Sequence, residues 1–224
     1  MDNKQLVALH AAKSVKSGML VGLGTGSTAN FFIDELARLQ IEEGLKVTTV
    51  ASSVVSANRA RSLGLALTAL ENIVTIDLYV DGADEITPEY ALLKGRGYDL
   101  VREKLLARAA KEFIVVADPS KLVQHIGEKF AIPVEVMPFA WQLVKARLEA
   151  ISGVGDLRQN AAKDGLAITS YGSLVLDMKF ENISCVDLDS LLNGMPGVVE
   201  HGIFAGLATK ILIADDGKIT ELSV

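Results

Sequence analysis

The sequence has a single cysteine, Cys185, so it can neither close an internal disulfide nor build a multi-cysteine metal site. Its three histidines, His10, His125 and His201, lie far apart, with no spacing that reads as a ligand set. Aromatics are scarce, with one tryptophan among them, so the core must be built mostly from Leu, Val, Ile and Ala. Basic residues are outnumbered, 22 Lys and Arg against 28 Asp and Glu. The resulting charge of −6 argues against a nucleic-acid or anionic-membrane partner, but it leaves room for a local site that takes a small anion. No apolar run approaches membrane-spanning length. Met1-Asp2-Asn3-Lys4 leads into an amphipathic helical pattern and not into the apolar stretch of a signal peptide. The expectation is a soluble, cytoplasmic protein without repeats or low-complexity tracts, whose 224 residues make one large domain or one domain plus a small one.

What is present is an alternation of short apolar runs and helical patterns. The spacing predicts a helix over 4–17, a strand over 19–23, and then Gly24-Thr25-Gly26-Ser27-Thr28 ahead of a helix over 29–39. Strand, glycine loop and helix is an arrangement that holds phosphate, because backbone N–H groups and the helix dipole converge on one point. Ser27 and Thr28 add hydroxyls and are candidate helix caps. The loop fits neither a dinucleotide nor a Walker site. The lysine of the second is missing, and against the first the next strand ends in Ala51-Ser52-Ser53 without an acid for a ribose hydroxyl. A monophosphate seat is the better reading.

The stretch 79–104, YVDGADEITPEYALLKGRGYDLVREK, organises the rest. The apolar run 76–80 ends in Asp81-Gly82-Ala83-Asp84, which places two carboxylates at the mouth of a sheet, where open α/β folds bind ligands. Lys94-Gly95-Arg96-Gly97 follows, and then a predicted helix over 98–111. On that helix Lys104, Arg108 and Lys111 read as one solvated stripe. Glu103 falls off it, among Leu106, Ala107 and Ala110, with Asp99 four residues before. An apolar setting and a nearby like charge both favour a neutral carboxyl, which suits a general base. Further along, Asp118-Pro119-Ser120-Lys121 puts another lysine after the strand over 113–117. The βα order predicts a Rossmann-like parallel sheet with helices on both faces.

From about residue 130 the rhythm changes. A strand over 132–137, a helix over 139–151, a hairpin of 166–169 with 173–179 around Tyr171-Gly172, a helix over 186–192 and a strand over 197–204 give β-α-β-β-α-β, the order of a ferredoxin-like module. Two last strands, 210–214 and 218–222, flank Asp216-Gly217 and return to the first sheet. The expected domains are 1–129 plus 205–224, catalytic, and 130–204, for oligomerisation.

GLGTGSTA, YVDGADE, KGRG, REK, ADPSK, PVEVMP and PGVVEHGIF, in this order and across nearly the whole chain, resemble ribose-5-phosphate isomerase, type A. The resemblance implies a cofactor-free, metal-free aldose–ketose isomerase of the pentose phosphate pathway, a homo-oligomer (dimer or tetramer) whose partner is a small sugar phosphate. It assigns the phosphate to Thr25, Gly26, Ser27 and Thr28, assisted by Lys4, and places the family's later substrate-binding lysine on Lys121. The DGAD carboxylates fall on Asp81 and Asp84, the loop lysine on Lys94, the general base on Glu103, and substrate contacts also on Gly82, Ala83, Gly95, Arg96 and Gly97.

One position departs from the family pattern. Arg96 stands where a glycine is usual, and Arg96 reaches positive φ at greater cost. It is a candidate partner for Asp99 or for the phosphate. Alternatives that the residues leave open are another enzyme on a related sheet (an amino-sugar phosphate isomerase or a CoA transferase), a non-enzymatic sugar-phosphate-binding module, and a metal site on Asp81, Asp84 and Glu85.

Overall fold

The computed structural model describes residues 2–181 and 183–223. In chain order the elements are α1 (Asn3–Ala12), β1 (Leu20–Leu23), α2 (Ser27–Glu43), β2 (Thr48–Ala51), α3 (Val54–Ser62), β3 (Ala66–Leu67), β4 (Ile76–Gly82), β5 (Glu85–Ile86), β6 (Leu92–Leu93), α4 (Leu100–Ala109) and β7 (Ala110–Ala117). There follow β8 (Ile132–Val136), α5 (Trp141–Glu149), β9 (Gly153–Leu157), β10 (Leu174–Phe180), α6 (Cys185–Asn193), β11 (Val198–His201), β12 (Ile203–Phe204), β13 (Lys210–Asp215) and β14 (Lys218–Ser223). They form two compact units, Met1–Ala83 with Arg102–Lys121 and Gly206–Val224, and Asp84–Val101 with Leu122–Ala205.

The first unit is a seven-stranded sheet in the order β14-β13-β7-β4-β1-β2-β3. Its pairs are parallel except β13 with β14, the expected C-terminal hairpin. Side chains alternate across a strand. Leu78 and Val80 of β4 join the core with Val7 of α1, Phe32 of α2 and Ala60 of α3, while Tyr79 is buried on the opposite face and stacks on Phe113 at 4.8 Å between centroids. The chain proceeds from β1 outward through β2 and β3 on one side and starts β4 on the other. β1 and β4 therefore flank the topological switch point, where the carboxyl ends of an open α/β sheet receive ligands.

The second unit carries an antiparallel sheet in the order β11-β8-β10-β9 with α5 and α6 packed on Val134, Val136, Leu176 and Met178, the ferredoxin-like arrangement. Its second strand is not 166–169, which makes only isolated bridges, but β9. The stretch 197–204 is two strands and not one: β11 pairs with β8, and β12 joins a small sheet with β6 and β5. The predicted helix over 98–111 is shorter than expected, because β7 begins at Ala110, so Lys111 is a strand residue whose Nζ donates to Asp77 at 2.8 Å. Lys104 is no part of a solvated stripe; it is 1% exposed. Asp99 immediately precedes α4, and its carboxylate accepts from Ser170 Oγ at 2.6 Å.

Candidate active site

In the first unit, register aligns the carboxyl ends of three strands, with Leu23 opposite both Val80 and Ala51. The next residues are Gly24, Asp81 and Ser52, and they meet. Gly24 N–H donates to Val80 O at 2.9 Å, and Thr25 N–H donates to Asp81 Oδ1 at 3.0 Å. Asp81 is buried, and it also accepts from Gly82 N–H at 2.8 Å and from the Tyr79 hydroxyl. Burial first, then the charges of Asp81 and Glu103, push the Tyr79 phenol well above its ordinary range, so it stays protonated as a donor.

The Thr25 hydroxyl lies 2.8 Å from Ser52 Oγ, donates to Ser53 Oγ at 2.8 Å and lies 3.2 Å from Ser56 Oγ. Ser56 Oγ closes the cluster on Gly24 O at 2.6 Å. These three serines were not among the sequence candidates. The signal for Ser52 and Ser53 was present, a polar pair at a strand's carboxyl end beside the glycine loop.

Gly26 takes φ 104° at the N-cap position of α2 and no side chain caps the helix, so Ser27 and Thr28 lie inside its first turn and do not cap it. An uncapped helix start leaves N–H groups available to an anion. Lys4 Nζ donates to Ser27 Oγ at 3.1 Å, which brings a positive charge to the same loop. Lys121 and Lys4 both act on Asp118. Burial favours its neutral form, but hydrogen bonds from Ser120 and these two cations outweigh it and hold the carboxyl below its usual range. Glu103, on α4, is 7% exposed.

In the second unit Asp84 N–H donates to Leu93 O at 2.8 Å, and Lys94, 4% exposed, places Nζ 5.6 Å from the centroid of the Phe204 ring. Gly95 takes φ 92° in the loop, and a Cβ there would sit 2.6 Å from Leu100 Cδ1, so this position needs glycine. Arg96 is not among the residues of positive φ, and Gly97 is not either, so the arginine fits without backbone strain. Its guanidinium carbon lies over the Phe130 ring, 4.0 Å from the centroid, and the group reaches Asp84 at 3.8 Å, not Asp99. Glu85 belongs to no metal cluster. Its carboxylate accepts from the N–H groups of Gly127, Lys129 and Phe130 at 2.7, 2.6 and 2.8 Å. Among the described residues no group of three or more His, Cys, Asp or Glu side chains is placed to hold a metal.

Arg96→Gly is expected to leave the protein folded and its activity within about fivefold of wild type. Half-exposed ion pairs are worth about 0–1 kcal/mol, and no backbone conformation depends on the arginine. Steady-state kinetics of the two proteins check this; near-complete loss would make the Arg96 side chain essential to binding or chemistry.

A strand-end carboxylate and an uncapped, glycine-led helix meet at the switch point of this α/β sheet, the place where open α/β folds seat small ligands. Residues 48–218 match the family described as ribose 5-phosphate isomerase A (phosphoriboisomerase A). A ribose-5-phosphate isomerase A from Synechococcus sp. (strain JA-3-3Ab) is 46% identical over 98% of this chain and 96% of its own. One from Thermosynechococcus vestitus is 42% identical over 96% and 93%. The solved ribose 5-phosphate isomerase A of Methanocaldococcus jannaschii superposes with a TM-score of 0.94 at 38% identity, covering 100% of this chain and 99% of that one. A D-ribose-5-phosphate isomerase solved in complex with phospho-erythronic acid also gives 0.94, at 34% identity with full coverage of both chains. The chain belongs to the ribose 5-phosphate isomerase A family.

Proposed function

We propose that the chain interconverts D-ribose 5-phosphate and D-ribulose 5-phosphate through a cis-enediolate, in the non-oxidative pentose phosphate pathway and without a cofactor. The observation that carries this reading is the meeting of the glycine loop with Asp81 at the switch point, in a chain of this family. The phosphate binds the Thr25–Thr28 loop with Lys4 and Lys121. Held there, away from the chemistry, it supplies binding energy that orients the reacting carbons. Asp81 moves the hydroxyl proton that opens the sugar ring, and Asp84 orients sugar hydroxyls. Glu103 removes the proton on C2 and returns it to C1, while one hydroxyl proton passes between the two oxygens. Lys94 stabilises the negative charge that develops on the carbonyl oxygen, as a fixed cation does best in a site closed to water. Substrate contacts extend to Gly82, Ala83, Gly95, Arg96 and Gly97.

We also propose a homo-oligomer, a dimer or tetramer, working in the cytoplasm, with residues 130–204 supplying subunit contacts and 1–129 with 205–224 the catalytic domain. Phe139 and Leu143, 84% and 72% exposed, support the contact role, and light scattering of the purified chain tests it. No described helix is long and apolar enough to cross a membrane.

The test of function is NMR of ribose 5-phosphate with the protein in D2O. Ribulose 5-phosphate is expected to appear, with deuterium exchange to whatever extent the base exchanges its proton with solvent. Unphosphorylated ribose, run beside it, is expected to react very poorly because it lacks the group the glycine loop holds. Comparable efficiency on both sugars would overturn the phosphate assignment, and no conversion of either would overturn the function.

A further inference from the structure

Arg158 follows the edge strand β9 and is only 12% exposed. Its Nε and Nη2 donate to the two oxygens of Asp177, on β10, at 2.8 and 2.6 Å. That fork fixes the plane of the guanidinium and leaves Nη1 aimed at the 94–97 loop, where it donates to Gly95 O at 3.1 Å and Gly97 O at 2.7 Å. On the amino side of the loop, Lys94 N–H donates to Gly202 O at 2.9 Å, and a Cβ at Gly202 would sit 2.4 Å from Lys94 O. The backbone that carries Lys94 is therefore tied at both ends.

We propose that Arg158, oriented by Asp177, is a positioning residue that presets the Lys94–Gly97 loop for the isomerisation. The proposal rests on the role given to Lys94 above. Two carbonyls two residues apart, accepting from one nitrogen, leave the intervening peptides little freedom. Carbonyl and N–H of a trans peptide point in opposite directions, so holding Gly95 O and Gly97 O at Arg158 turns the N–H groups of Arg96 and Tyr98 away from it. The loop then presents its donors and its lysine without reorganising during reaction, which is what electrostatic stabilisation of a developing oxyanion requires. Only a planar guanidinium satisfies a bidentate carboxylate and two carbonyls together; an ammonium can keep the charge but not the fork.

The full-length protein carrying Arg158→Lys or Arg158→Ala tests this, with kcat, KM for ribose 5-phosphate, and amide hydrogen exchange across 94–98 as the readouts. Arg158→Ala is expected to lose kcat on the order of 10²-fold, the cost of an ångström-scale misplacement, with a much smaller change in KM and faster exchange in the loop. A cavity of about 230 Å³, lined by Arg96, Phe130, Ala131, Arg158 and Asp177, adjoins the guanidinium. Guanidinium ion well below denaturing concentration is therefore expected to restore part of the kcat of Arg158→Ala. Arg158→Lys, which keeps a cation beside Asp177 and so guards against misfolding, is expected to stay impaired in kcat.

Wild-type kcat in either variant overturns the proposal, as does a loss of kcat with unchanged loop exchange and no rescue. Lys94→Met separates the two readings. If it retains full activity while Arg158→Ala shows fast exchange and guanidinium rescue, the role of Lys94 fails and the clamp stands.

Discussion

Glu103→Gln is expected to abolish isomerisation, lowering kcat by on the order of 10²–10⁴, the usual contribution of a positioned general base. Transfer between C1 and C2 needs one group that can both take a proton and give it back. Glutamine has the same shape and reach as glutamate but cannot carry that proton. The substitution is isosteric at a site 7% exposed, so neither a cavity nor a steric clash arises, and the α4 packing of Leu106 and Ala107 is kept. The proposed phosphate seat lies between β1 and the start of α2, away from α4 in sequence, so affinity for a phosphorylated four-carbon sugar acid is expected to stay close to wild type. One further effect is specific to this structure. The charge of Glu103 helps keep the Tyr79 phenol protonated, but burial and Asp81 act in the same direction, so the Tyr79 hydrogen bond to Asp81 survives the change. Measuring kcat, inhibitor affinity and thermal midpoint in both proteins checks all three expectations. More than a tenth of wild-type kcat in the variant would move the base elsewhere, with Asp81 the next candidate.

The parallel sheet was legible because apolar runs such as 76–80 and 113–117 each end at an aspartate and because βα alternation permits few topologies, and the C-terminal hairpin because Asp216-Gly217 marks its turn. The β-α-β-β-α-β order of the second unit is legible too, but the patterning points to 166–169 where the sheet uses β9. Strand β9 reads Gly-Val-Gly-Asp-Leu, and glycine and aspartate are poor strand formers. The structure shows why the glycines are there. A Cβ on Gly155 would lie 2.0 Å from Asp177 O, and one on Gly153 would lie 2.7 Å from Leu148 O. Close backbone approach, which no periodicity records, decides the composition of that strand.

Lys104 misled for a related reason. Helical spacing puts a lysine in water by default, and only a tertiary partner makes its burial affordable. Among the functional candidates, Asp81 and the glycine loop were visible because strand-end chemistry is local in sequence. Arg158 was not, since its partners Gly95 and Gly97 lie 63 and 61 residues away and nothing local marks it.

Gly24→Ala is expected to be the most damaging single-methyl change in the first unit. The added Cβ would lie 2.2 Å from Asp81 Oδ1, 2.4 Å from its Cγ and 2.6 Å from Val80 O. Two of those atoms belong to a side chain fixed by Thr25 N–H, Gly82 N–H and the Tyr79 hydroxyl, and the third is strand backbone, so no flexible group is free to yield. Gly24 is not among the residues of positive φ, so the penalty is close approach and not backbone conformation. Overpacking of this kind costs about 1–3 kcal/mol. In a chain of this size each kcal/mol lowers the thermal midpoint by about 2–4 °C. The effect on catalysis is expected to be larger than the effect on stability. The methyl must push Asp81 away from Thr25, which separates the carboxylate proposed to open the ring from the loop proposed to hold the phosphate, at the hydrogen bond that joins them. A displacement of about 1 Å there costs on the order of 10² in rate. Gly194→Ala is the matched control, because its Cβ would meet only Ser190 O at 3.6 Å and Leu191 O at 3.8 Å, and its backbone is αR. Thermal melts and steady-state kinetics on the two variants decide the matter. If Gly24→Ala melts and turns over like Gly194→Ala, then Asp81 can move without loss and its coupling to the glycine loop has no part in the reaction.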